Sequence, residues 1–186
     1  MKKMILAFAI LVFGCTTVHA GDVLMGRINY DVGSARDEAF SSVEYTIPRD
    51  RLRKYLYDEN YEENQNALKY NVQLKDRSIK MYAMQYAKSY GIEYKADKKY
   101  TYFYWQNSGA LKSVAIDQNP KPDTYPAKVF YYRPNGKLVN VNLIVSPTEE
   151  FIFNKDGSLN CHWINGQAFD EKGKRIGTEE LIEDAD

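Results

Sequence analysis

The sequence predicts a mainly β protein of β-rich α+β class: an antiparallel meander of hairpin repeats with one N-terminal helix. Three observations predict it. A unit recurs in the second half: Phe103 to Leu111, Phe130 to Leu138 and Phe151 to Leu159 each carry Phe six residues before a glycine, an aromatic ring four before it and leucine two after it. Other short stretches alternate apolar and polar residues, the pattern of a strand with one wet face. The composition is rich in rings, with 16 Tyr, 8 Phe and 2 Trp, and aromatic residues fit a pleated, half-buried surface.

Taken in order, Val23 to Val32 reads as a weak strand and Val43-Glu44-Tyr45-Thr46-Ile47 as a clear one. Pro48 suits the first position of a helix, where a missing N–H costs nothing, and Leu52, Tyr55 and Leu56 then recur at helical spacing. Tyr61 to Asn66 is acidic and Asn-rich and reads as a loop. Leu68 to Lys75 alternates without error and reads as a strand. Ile79 to Tyr90 fits either a helix, capped by Asp76 or Ser78 and ended by Gly91, or a strand; its flanking strands favour the strand. Asp117 to Pro126 holds three prolines and is an irregular connection. The acidic stretch from Thr178 is expected to fray.

Turn chemistry sets the register of the repeats. Asn135-Gly136 alone suggests a two-residue type I′ turn, but Pro134 would then sit where a ladder N–H is required. A three-residue loop fits better: a type I turn with Pro134 at its second position, followed by a left-handed Gly136 in a bulge. Tyr132 then faces Leu138, Trp105 faces Leu111 and Phe153 faces Leu159, with Gly109, Gly136 and Gly157 as the structural turn residues. Phe169 to Ile176 is a degenerate fourth copy around Gly173. Cross-strand pairs of this kind contribute roughly 0.2–1 kcal/mol each.

This unit, with Phe169-Asp170 and Gly173-Lys174 closing the series, resembles MORN-type repeats, closest to the bacterial MORN-variant, antitoxin-like group. The similarity covers about residues 100–178. It implies an elongated array of antiparallel hairpins that binds partners, with no catalytic residues, and an antitoxin- or immunity-like neutralising role as an alternative function.

The chain divides into a signal peptide over residues 1–20, a strand and helix region over 21–99, the hairpin repeats over 100–178 and an acidic tail over 179–186. Lys2 and Lys3 precede an apolar run from Ile5 to Gly14, and Val18-His19-Ala20 offers small residues to a signal peptidase. The run is too short to span a bilayer. Cleavage after Ala20 gives a released periplasmic or extracellular protein. Val12-Phe13-Gly14-Cys15 resembles a lipobox, and lipidation at Cys15 would instead anchor it to a membrane. Removing the leader takes away two lysines and no acid, so the mature chain is slightly acidic. That excludes a dedicated nucleic-acid binder, which needs a basic footprint.

Catalytic and metal chemistry find little support. Cys161 has no intramolecular partner once Cys15 is gone, and it reads as a small buried hydrophobe. Cys161 and His162 are strand neighbours, so their side chains point to opposite faces. A zinc site needs three or four N/S ligands, and the mature chain offers these two. Asn154-Lys155-Asp156-Gly157 reads as a hairpin turn and not a calcium loop. Glu62-Glu63, Glu149-Glu150 and Glu179-Glu180 are acidic pairs whose ordinary explanation is solvation, which makes a hydrolase the least favoured class. No cofactor is expected. Tyr100, Tyr102, Tyr104, Tyr131 and Tyr132 bring rings to both faces of the repeat sheet and are the candidate partner-binding residues. The expected function is that of an exported, non-catalytic interaction module for an envelope protein or a cell-wall glycan.

Overall fold

The protein's structure, a computed structural model, describes residues 30–70, 72–84, 89–106 and 108–178. Ten strands form one antiparallel sheet in chain order, each pairing with its neighbours in sequence. They are β1 (Ile79–Met84), β2 (Ser89–Ala96), β3 (Tyr100–Trp105), β4 (Leu111–Asp117), β5 (Ala127–Tyr132), β6 (Leu138–Ser146), β7 (Glu149–Asn154), β8 (Leu159–Ile164), β9 (Gln167–Phe169) and β10 (Arg175–Thr178). Before them come α1 (Val32–Phe40), α2 (Arg49–Leu52) and α3 (Tyr61–Lys69). The fold is the mainly β hairpin meander that the repeats predict, with a helical N-terminal region that holds three short helices among the described residues.

The hairpin geometry follows from the loops. Arg133 N donates to Lys137 O at 2.9 Å and Gly136 N to Arg133 O at 2.9 Å, enclosing Pro134-Asn135-Gly136. Asn154 to Ser158 and Asp170 to Lys174 close the same way. Tyr132 therefore faces Leu138, and Phe153 faces Leu159. The first hairpin differs. Its closing pair is Trp105 and Ala110, so the loop is one residue longer, and Tyr104, not Trp105, faces Leu111. The extra residue shifts Trp105 to the other side of the sheet.

The N-terminal half corrects several expectations. Tyr61 to Asn66 opens α3 and is not a loop, and Leu68 and Lys69 end that helix instead of starting a strand. Tyr61, Asn64 and Leu68 recur at helical spacing and all three are buried, so the helical period prevails over the alternation that follows it. Tyr70 and Val72 of the expected strand are exposed. Val32 begins α1, because Asp31 caps it: its carboxylate accepts from Ser34 N at 2.7 Å. Residues 23–29 of the strand expected there lie outside the described residues. Val43 to Ile47 is extended but joins the sheet through a single bridge, Thr46 to Lys137. Pro48 takes the N-cap position and the helix after it stops at Leu52, leaving Tyr55 and Leu56 to pack on the core from the turns beyond. Ile79 to Met84 and Ser89 to Tyr90 are strand, in β1 and β2, although the flank before them is not; residues 85–88 lie outside the described residues. The division at residue 100 does not separate structure, since β1 and β2 share the sheet with the repeats. The leader with Cys15 and the tail 179–186 lie outside the described residues.

All three helices pack on one face of the sheet. Ala35 and Ala39 of α1 are fully buried, and their small side chains let the helix lie close over β6 and β7. Leu52, Tyr61 and Leu68 join the same cluster, which gathers Ile92, Tyr102, Val114, Phe130, Val141, Leu143, Phe151 and Phe153 from the strands. Tyr61 packs between Tyr94 and Tyr104, with ring centroids 5.1 and 4.8 Å away. Tyr132 buries its ring and donates to Glu44 O at 2.9 Å.

Candidate functional site: the helix-free face of the sheet

Of the five candidate partner-binding tyrosines, four lie under the helices. Tyr100, Tyr102, Tyr104 and Tyr132 are all less than 10 % exposed. Residues two apart on a strand share a face, and Tyr100, Tyr102 and Tyr104 ladder along β3 with centroids 6.4 Å apart. These four tyrosines are therefore core. Tyr131 alone points the other way.

The other face carries no described helix, and it has its own smaller cluster: Tyr82, Phe103 and Ala115, with Val129 and Tyr131 packed against them. The Tyr82 ring meets Phe103 edge-on at 6.0 Å, and Phe103 stacks with Tyr131 at 6.3 Å. Gly91, opposite Tyr82, makes this possible: a Cβ there would lie 2.0 Å from the ring. The Lys112 ammonium sits 4.9 Å from the Trp105 ring and 5.7 Å from the Tyr82 ring. On the far side, Trp163 of β8 is half-buried opposite Glu150 and Ala168.

Strand register aligns these residues in rows. One runs Lys95, Thr101, Ala115, Tyr131, Asn140, Asn154 from β2 to β7. The next runs Asp117, Val129, Asn142, Ile152, Cys161 from β4 to β8. A polar ladder crosses them: Asn140 Nδ2 donates to Asn142 Oδ1 at 2.8 Å, and Asn142 Nδ2 donates to Glu150 Oε1 at 2.5 Å. Asn142 is almost wholly buried, so its amide is held in one orientation by both neighbours.

Desolvation marks the face electrostatically. Burial raises the Glu93 carboxyl above its ordinary range, against the opposing pull of Lys80 and Lys95. Burial raises Asp117 likewise and lowers the Lys112 ammonium. The Tyr131 phenol is pushed well above its usual range, first by burial and then by Glu150, Glu93 and Asp117. The Cys161 thiol is pushed up to about 12 by burial and by Glu150. It stays protonated at neutral pH, and a thiol in that state is a poor nucleophile.

Cys161 and His162 are divided between the faces, as their adjacency predicts. His162 stacks on Phe151 with centroids 3.8 Å apart and bonds Glu149 through Nε2 at 2.9 Å. Cys161 faces Ile152 on the other side. Glu149 and Glu150 split the same way, one to His162 and one to Asn142, so they form no acid pair. Glu62 and Glu63 are exposed on α3, and Glu179-Glu180 lies outside the described residues. Gly109, Gly136 and Gly157 sit at hairpin tips with φ of 62°, 84° and 83°. Among the described residues no cluster of three His, Cys, Asp or Glu could hold a metal ion.

Sequence reasoning missed Phe103, Asn140, Asn142, Glu150 and Trp163 as one surface. The signal was present in β6, where Asn140 and Asn142 alternate with Val141 and Leu143. Two amides on the face opposite two core residues mark a polar second surface. No protein-family model matches the chain, and no curated protein or solved structure matches it.

Proposed function

We propose that this protein is an exported, non-catalytic binding module whose helix-free sheet face docks an envelope protein or glycan. One observation carries the reading. Rings (Tyr82, Phe103, Trp105, Tyr131, Trp163) and side-chain amides (Asn140, Asn142, Asn154) are spread from β1 to β8 over a face that no described helix covers. Large amphipathic rings beside fixed polar groups are the usual make-up of recognition surfaces. The apolar run from Ile5 to Gly14, preceded by Lys2 and Lys3, supports export, with cleavage after Ala20 or lipidation at Cys15 as the two routes.

The test is affinity capture from a native envelope extract. Wild type and Tyr70→Ala, altered beside α3, should capture the same partner. Trp163→Ala should lose it while melting within a few degrees of wild type, and Asn140→Ala, which strips the buried Asn142 amide of a donor, should lose it at a cost of about 1–3 kcal/mol in stability. Equal capture by all four would end the reading. Capture of one toxic protein, released by the same two substitutions, would move the function to the antitoxin-like role. Mass spectrometry of the mature N-terminus separates cleavage at Ala20 from acylation at Cys15.

A further inference from the structure

The edge of the sheet at β1 is a second surface, independent of the helix-free face. We infer that β1 pairs antiparallel with β1 of a second copy of this chain, joining two sheets edge to edge about a two-fold axis.

Among the described residues β1 pairs with β2 alone and β10 with β9 alone, so the sheet has two edges. An edge strand presents a row of unpaired N–H and C=O groups, which proteins blunt with bulges, proline or charge. At the β10 edge the register breaks between Arg175 and Gly177, which twists that edge away from a partner. β1 pairs with β2 in unbroken register from Ile79 to Met84 and contains no proline. Its one charge, Lys80, lies opposite Glu93. Burial raises that carboxyl, and Lys80 pulls against the rise, so the charge is answered within the sheet. Apolar residues on both sides are the pattern of an interior strand. Ile79 and Tyr82 point to opposite sides of β1 and both are buried. Met81 shares the helix side with Ile79, yet it is 42 % exposed. Val72, in the segment that leads from α3 into β1, is exposed as well.

The strand is complementary to itself. A two-fold axis normal to the sheet runs two copies of β1 antiparallel and keeps helix side with helix side. Two registers use nearly the whole strand, one centred on Met81 and one on Tyr82. In both, Ile79, Met81 and Ala83 of the two copies share one side. Lys80 then meets Tyr82 or Met84 and never a second lysine, so no like charges are opposed. The two exposed Met81 side chains become direct or diagonal neighbours, within reach of each other in either register. On the other side the cluster of Tyr82, Phe103 and Tyr131 continues into that of the second copy. One strand pair with a few apolar side chains is a small contact, of the size that gives weak and reversible association. The dimer should therefore form as concentration rises, and it would present two helix-free faces on one continuous surface.

The experiment is sedimentation velocity over a range of concentrations, on the whole protein as the cell processes it. Wild type should pass from monomer to dimer. Met81→Lys and Met81→Glu should each weaken that association about tenfold or more, because each sets like charges side by side. An equimolar mixture of the two should restore it, which also shows that both variants fold. A monomer at every concentration, or a dimer indifferent to both Met81 changes, overturns the inference. So does a monomeric protein whose Met81→Lys variant loses envelope capture, since the edge would then belong to a strand of another protein. Trp163-dependent capture by a protein that stays monomeric would leave the binding-module reading standing without the dimer.

Discussion

At Gly136 the backbone is held at φ +84°, and a Cβ would lie 2.1 Å from the carbonyl oxygen of Ile47. That carbonyl is backbone, fixed because Ile47 N donates to Gly136 O at 2.9 Å. Gly173 holds φ +72° at another tip with nothing within 4 Å of such a Cβ. The two positions share the left-handed cost, about 1–2 kcal/mol for an L side chain, but only Gly136 adds a collision. Gly173→Ala should therefore cost about 1 kcal/mol and Gly136→Ala clearly more, measured by urea unfolding. Equal losses would mean that the segment Thr46–Ile47 does not dock at that tip. Asn64 supplies a second case. Its side chain is fully buried, and Oδ1 accepts from Lys75 N at 2.8 Å and Asp76 N at 3.0 Å. Asn64→Ala leaves both donors without that acceptor and should cost about 1–3 kcal/mol, with faster amide exchange at residues 75 and 76.

Elements were legible where local chemistry fixed them. The glycine tips, the aromatic–leucine pairs of two hairpins and the irregular span before β5 all follow from turn residues and spacing. The first hairpin was misread because one added residue, invisible to a motif counted back from glycine, moves Trp105 off the core face. The region before β1 was misread for a different reason. Leu68 to Lys75 alternates well, but a strand also needs a partner, and the helix that buries Tyr61, Asn64 and Leu68 uses the first of these residues. Whether a tyrosine is core or surface was illegible, since both faces of β3 carry rings and only the helices decide between them. The fit of Tyr82 over Gly91 is likewise tertiary. Gly91→Ala should cost about 1–3 kcal/mol through overpacking. In a Tyr82→Ala background most of that cost should vanish, giving a coupling of about 1 kcal/mol or more in a double-mutant cycle. Additive effects would show that the ring does not lie there.

For the molecule as a whole, the buried phenols link stability to alkaline pH. Burial raises Tyr82, Tyr102 and Tyr132 to about 12, and Tyr61 and Tyr104 higher still. The unfolded chain ionises these groups near 10 and cysteine near 8.5. Above those values the unfolded state binds fewer protons than the folded one, so stability falls as pH rises. It should be flat from neutrality to about pH 8.5, then decline toward pH 12. The phenolate absorbance of the buried tyrosines should appear together with unfolding and not before it. Cys161 should resist thiol reagents at pH 8 in the native protein and react at once in denaturant. A native phenolate titration near pH 10 covering all of the tyrosines would contradict the burial described here.

One face of the sheet is closed by the described helices, and we propose that the other recognises a partner. Side-by-side capture and melting of Tyr102→Ala and Trp163→Ala test it most directly. Tyr102 is fully buried beneath the helices, so its truncation should cost about 3–5 kcal/mol, while any protein still folded captures partner normally. Trp163→Ala should melt near wild type and capture nothing. The reverse pattern, with binding lost at Tyr102 in a stable protein and kept at Trp163, would contradict it.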